Sequence, residues 1–73
     1  MVWLAQTFGT NVRKLRHARG LSQEALADAV GIAVSYLGQI ERGQRNPTLA
    51  VVERFADVLQ VQPTDLLRDQ PRG

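Results

Sequence analysis

A glycine sets the tightest limit on how this chain can fold. Gly31 interrupts two short segments of helical apolar periodicity, one opening at Ser22 and running through Leu26, Ala27 and Val30, the other covering roughly Val34 to Arg42. The break between them is too short to let two helices lie antiparallel, so they must cross steeply. Such a crossing needs an unhindered backbone at the corner and a small residue where the helices come closest. Gly31 and Ala27, four residues apart, meet that need. Leu26, Val30, Ile32, Leu37 and Ile40 then fill the space beneath, which leaves Val34, Ser35, Gly38, Gln39 and Arg42 on the outer side of the second segment.

Three further helical segments surround this pair, and nothing alternates with period two for long enough to compete as a strand. The first runs from about Gln6 or Thr7 to Arg19, with Phe8, Val12 and Leu15 on one face, Arg13, Lys14 and His17 on the others, and Gly20 as a stop. After the polar loop Gln44-Arg45-Asn46-Pro47, Thr48 is placed to cap a fourth helix whose Leu49, Val52, Phe55, Ala56 and Leu59 read as a buried stripe. Pro63 suits the first turn of a short last helix holding Leu66 and Leu67, and residues 69–73 read as a flexible tail. The 73 residues leave room for one domain, 1–73, with a helix-turn-helix at about 23–42.

Composition narrows the function classes. With no cysteine and one histidine, His17, the chain offers neither disulfides nor a plausible zinc site. No Ser-His-Asp spacing and no glycine-rich phosphate loop is present, and Glu24 and Asp28 lie on the exposed face of a short helix, so no enzyme, cofactor, metal or small-molecule ligand is expected. The start, Met1-Val2-Trp3-Leu4-Ala5, lacks a basic leader region, and no stretch approaches the roughly 18 apolar residues of a membrane span. The expectation from these features is a soluble cytoplasmic protein. The net charge of +2 is unevenly placed: residues 1 to 46 hold six Lys/Arg against three Asp/Glu, residues 47 to 73 three against four. The amino-terminal portion is therefore the side suited to a polyanion.

The residues Leu15-Arg16, Gly20-Leu21-Ser22-Gln23, Leu26-Ala27, Val30-Gly31, Ser35-Tyr36-Leu37 and Gln39-Ile40-Glu41-Arg42-Gly43, continuing into Arg45-Asn46-Pro47-Thr48-Leu49, carry a resemblance over roughly residues 8 to 68. The sequence resembles the helix-turn-helix family of phage repressor and Cro-like regulators, and is most similar within it to the controller proteins of restriction-modification systems. The resemblance implies an all-α, compact five-helix lambda-repressor-like domain that binds duplex DNA. It implies that the third helix enters the major groove, where each base pair presents a distinct pattern of donors, acceptors and methyls.

By position in that motif, Val34, Ser35, Gly38 and Gln39 would face base edges, and Gln23, Tyr36, Arg42, Arg45 and Asn46 would contact phosphates. Gln39 suits adenine, Ser35 several bases, and Val34 a thymine methyl. Val34 and Gly38 depart from many relatives, which gives DNA shape a share in recognition. Arg16 and Glu41 correspond to a structural ion pair between the first and third helices. Tyr36 fits either a phosphate contact or a partly buried core position. Val51 and Val58, seven residues apart and off the main stripe, would mark a homodimer interface together with Leu66 and Leu67; Trp3 and Leu4 would either close the core or join that contact. The resulting reading is a homodimeric transcriptional regulator on a roughly palindromic operator. The competing one is an antitoxin-like or adaptor protein whose main partner is another polypeptide.

Overall fold

The computed structural model describes Trp3 to Asp69. These residues form four α-helices, α1 (Trp3–Ala18), α2 (Gln23–Val30), α3 (Val34–Glu41) and α4 (Leu49–Leu59), followed by a 3₁₀ turn at Pro63–Leu66. The architecture is all-α, as the resemblance implies, with the fifth segment a single 3₁₀ turn instead of an α-helix. Among the described residues no helix is long and apolar enough to cross a membrane.

Local chemistry fixes the helix ends. The Ser22 hydroxyl accepts from the Ala25 amide at 3.0 Å and starts α2; Thr48 accepts from Val51 at 3.2 Å and starts α4. Gly31 closes α2 in the left-handed region, at φ 86° and ψ 36°, and the amides of Gly31 and Ile32 both donate to the Ala27 carbonyl, at 2.8 and 3.0 Å. An added Cβ at Gly31 would meet nothing within 4 Å. Its requirement is therefore backbone conformation alone, which lets the chain turn from α2 into α3 within three residues.

The core gathers Phe8, Val12, Leu26, Ala27, Val30, Leu37, Ile40, Val52, Phe55, Ala56, Leu59 and Leu66, with the Phe8 and Phe55 rings edge to face at 5.5 Å between centroids. Every helix contributes to it, so α3 is held from beneath by Leu37 and Ile40, neither of which exposes any surface.

Close packing of backbone occurs between α1 and α3, at a position the sequence did not reveal. Gly9 lies on the buried stripe of α1 beneath the last turn of α3, where an added Cβ would overlap the Ile40 carbonyl oxygen and stand 3.1 Å from that of Glu41. On the same helix Asn11 is buried, and its amide donates to the carbonyls of Leu66 at 3.0 Å and Arg68 at 2.8 Å. These bonds fasten the carboxy-terminal stretch across α1 and satisfy carbonyls that the short 3₁₀ turn leaves unpaired.

Four expectations are corrected. The first helix starts at Trp3, one turn before Gln6, with Ala5 buried and Trp3 and Leu4 mostly outside the core. Leu49 is not in the α4 stripe: it is 77% exposed, whereas Val51 is buried within its own chain. Leu66 is wholly buried and Val58 and Leu67 are half-buried against the core, so Leu66 has no surface for a dimer contact and Val51, 9% exposed, has little. Asp69, placed in the tail by the sequence, lies against α1, with Thr7 Oγ1 donating to its carboxylate at 3.4 Å next to the Asn11 clamp. Residues 70–73 of the expected tail lie outside the described residues.

Candidate nucleic-acid interface

The outer side of α3 follows from its inner side. With Leu37 and Ile40 buried, the helical repeat turns Ser35 and Arg42 outward, and both are exposed; Val34 is 43% exposed and Gln39 half-buried. Arg45 and Asn46 are exposed on the loop that follows. Tyr36 is half-buried, with its ring packed against the core on one side and facing Arg45 on the other. Val34, Ser35, Gln39 and Arg42 thus share the outer side of α3, and Arg45 joins them from the loop through its bond to Gln39, whereas Asn46 lines the apolar groove formed with Leu4, Pro47 and Leu49.

Gly38 departs from expectation. It is buried, and a Cβ built on it would meet Arg42 Nη1 at 3.3 Å and Gln23 Nε2 at 3.9 Å. The side chains of Gln23 and Arg42 lie over the helix at this position, so Gly38 offers them a floor and has no surface of its own for a base edge. Gln23 itself is half-buried and donates from Nε2 to Glu41 Oε1 at 3.0 Å, which links the start of α2 to the end of α3.

Beneath the face lies the ion pair. Arg16 Nε and Nη2 donate to the two Glu41 carboxylate oxygens at 2.7 and 3.1 Å, and Arg16 Nη1 donates to the Leu21 carbonyl at 2.9 Å. The side chains are 10% and 4% exposed. Burial alone would raise the Glu41 pKa, but the hydrogen bonds from Arg16 and Gln23 and the charges of Arg16 and Arg13 outweigh it and hold the carboxyl below its ordinary value. One guanidinium thereby joins α1, the connection to α2, and α3, which fixes the height at which α3 stands out of the globule.

The outer polar groups are pre-arranged among themselves. Arg45 Nη1 donates to Gln39 Oε1 at 3.0 Å, the Arg45 guanidinium carbon stands 5.0 Å from the Tyr36 ring centroid, and Arg42 Nε donates to Gln44 Oε1 at 3.2 Å. No group of histidine and acidic side chains suited to a metal ion occurs among the described residues.

A family model described as helix-turn-helix domain matches residues 7–69. The chain is 44% identical over 62 residues to the HTH-type transcriptional regulator YazB of Bacillus subtilis, which covers 85% of this chain and 90% of YazB. Its fold is similar to that of the restriction-modification controller protein C.AhdI from Aeromonas hydrophila, with a TM-score of 0.81 and 45% identity over 85% of this chain and 94% of that one. It is also similar to SinR, a master regulator for biofilm formation solved in complex with DNA, with a TM-score of 0.79 and 35% identity over 84% of this chain and 98% of that one. Other relatives are much longer proteins, and the chain spans 12% of one regulator that it matches at 48% identity over 56 residues.

Proposed function

The chain belongs to the helix-turn-helix domain family of DNA-binding transcriptional regulators, and from that premise we propose that it reads a roughly palindromic operator as a homodimer, with α3 in the major groove. The observation that carries this reading is the division of α3 into two sides. Leu37 and Ile40 anchor it, while Ser35, Gln39 and Arg42 lie on the opposite side, with Arg45 folded onto Gln39 from the loop, and the major groove is wide enough to admit such a helix. Gln39 and Ser35 read base edges, with Val34 in apolar contact; Arg42, Arg45 and Asn46 hold phosphates, and the Gln23 end of α2 lies against the backbone. The likeness to C.AhdI supports a role in controlling a restriction-modification system.

The experiment is selection from a random duplex library, followed by salt titration on the selected site. Gln39→Ala should lose about 1 to 3 kcal/mol on that site and little on random duplex. Arg42→Ala should weaken both alike and lower the salt slope by about 0.9 for the one phosphate it releases. Equal losses on both duplexes for Gln39→Ala would remove it from base reading, and failure to enrich any site would overturn the operator.

Two copies are required because one domain presents one α3. Its longest dimension is 27 Å, whereas successive major grooves on one duplex face stand about 34 Å apart. With Val51 and Leu66 buried, the face suited to the second copy is the apolar groove lined by Leu4, Pro47, Leu49, Val52 and Leu67, at the foot of the loop that carries Arg45 and Asn46. The operator reading requires a twofold axis there that sets both α3 helices toward the same side of the assembly. Leu49→Glu should yield a folded monomer by sedimentation and circular dichroism, remove cooperative operator binding, and make the melting temperature independent of protein concentration. A dimer that persists in this variant would place the interface elsewhere.

A further inference from the structure

Arg45 touches the recognition face twice, and neither contact is to a charge. Its Nη1 donates to Gln39 Oε1 at 3.0 Å and its guanidinium lies over the Tyr36 ring at 5.0 Å. Tyr36 and Gln39 are one helical turn apart on α3, and Arg45 folds back onto both from the loop beyond.

A glutamine amide on an open helix face rotates freely about its last torsion, and its two orientations offer opposite orders of donor and acceptor to a base edge. A guanidinium has donors only, so it pairs with the oxygen of the amide and rejects the flipped state. We propose that Arg45 is a positioning residue for base reading, which fixes the Gln39 amide with Oε1 toward the loop and Nε2 free to donate outward, while Tyr36 serves as the platform that holds the guanidinium in place. This rests on the reading of α3 as the recognition helix. The amide oxygen keeps a second lone pair, so the locked group still offers an acceptor beside the Nε2 donor, the order that an adenine edge complements. Order fixed before binding spares the ordering of Gln39 on the DNA. Arg45 therefore contributes to specificity as well as to backbone affinity.

The test is a double-mutant cycle of Gln39→Ala and Arg45→Ala, read as the ratio of affinities for the selected duplex and for the duplex altered at the base pair where Gln39→Ala relaxes preference, both at one salt concentration. All three side chains altered in the series are at the surface or half-buried, and circular dichroism confirms folding of each variant. Arg45→Ala should reduce that ratio at least about threefold in the presence of Gln39, and should leave it unchanged once Gln39 is alanine. Tyr36→Phe should preserve the ratio, since the ring remains, and Tyr36→Leu should reduce it as Arg45→Ala does. If Arg45→Ala weakens selected and altered duplexes equally while Gln39→Ala relaxes one position, Arg45 is a phosphate contact alone and the positioning role falls. If Gln39→Ala relaxes no position, the reading of α3 falls with it.

Discussion

Gly9→Ala should unfold the domain or come close to it, a loss of about 3 kcal/mol or more read as a collapse of the helical melting transition. The added methyl would occupy the position of the Ile40 carbonyl oxygen and press on that of Glu41. A backbone oxygen cannot rotate away as a side chain does, so α1 and α3 would have to separate along their line of contact, and Phe8, Leu37 and Ile40 would lose their packing together. The comparison is Gly38→Ala. There the methyl meets only the ends of flexible side chains, Arg42 at 3.3 Å and Gln23 at 3.9 Å, and alanine is favoured over glycine in a helix by about 1 kcal/mol. Gly38→Ala should therefore alter stability by no more than about 1 kcal/mol in either direction. Equal melting temperatures for the two variants would show that α1 and α3 do not approach as closely as described.

The second large effect belongs to Glu41→Ala, which should cost about 3 to 5 kcal/mol. For a domain of this size that is a fall in melting temperature of about 12 °C or more. Most of the loss is the penalty of leaving the Arg16 guanidinium buried without a counter-charge, and not the net worth of the pair. Replacing both partners, Arg16→Met with Glu41→Leu, should recover much of it, but not the bond from Arg16 to the Leu21 carbonyl. The same pair sets the acid limit. Because the Glu41 pKa is lowered in the folded state, its contribution is complete above the ordinary value of 4.5 and is lost as pH falls through the lower folded value. Melting temperature followed on the acid side of that value should drop more steeply for the parent protein than for the double replacement. Parallel curves would assign acid unfolding to other carboxylates.

The sequence displayed most of this architecture because most of it is local. The Ser22 and Thr48 caps, the Gly31 corner and the inward Leu37 and Ile40 are written in residue type and spacing. The misreadings on α4 share one cause, that periodicity gives a stripe but not its centre. At about 100° per residue the α4 stripe is centred on Val52, Phe55 and Leu59, which brings Val51 inside and leaves Leu49 at the edge, on the first turn, 77% exposed. Gly38 looks outward on the same wheel, and only the reach of Gln23 and Arg42 covers it. Gly9 and Asn11 went unread, although they leave a signal: a glycine on the apolar side of a long helix and a poor helix former two residues later both ask for a tertiary reason. What they pack against, a carbonyl on α3 and carbonyls more than fifty residues away, is a property of the assembled fold.

The Asn11 clamp has a topological meaning. By holding the carbonyls of Leu66 and Arg68 against α1, it brings Asp69 to the same groove as Trp3. The path of the backbone between them is nearly a closed ring, with Trp3 and Asp69 at one groove. A module so built can be threaded into a larger polypeptide at a single point without stretching its neighbours, and this suits a unit that is matched within a regulator of which it spans 12%.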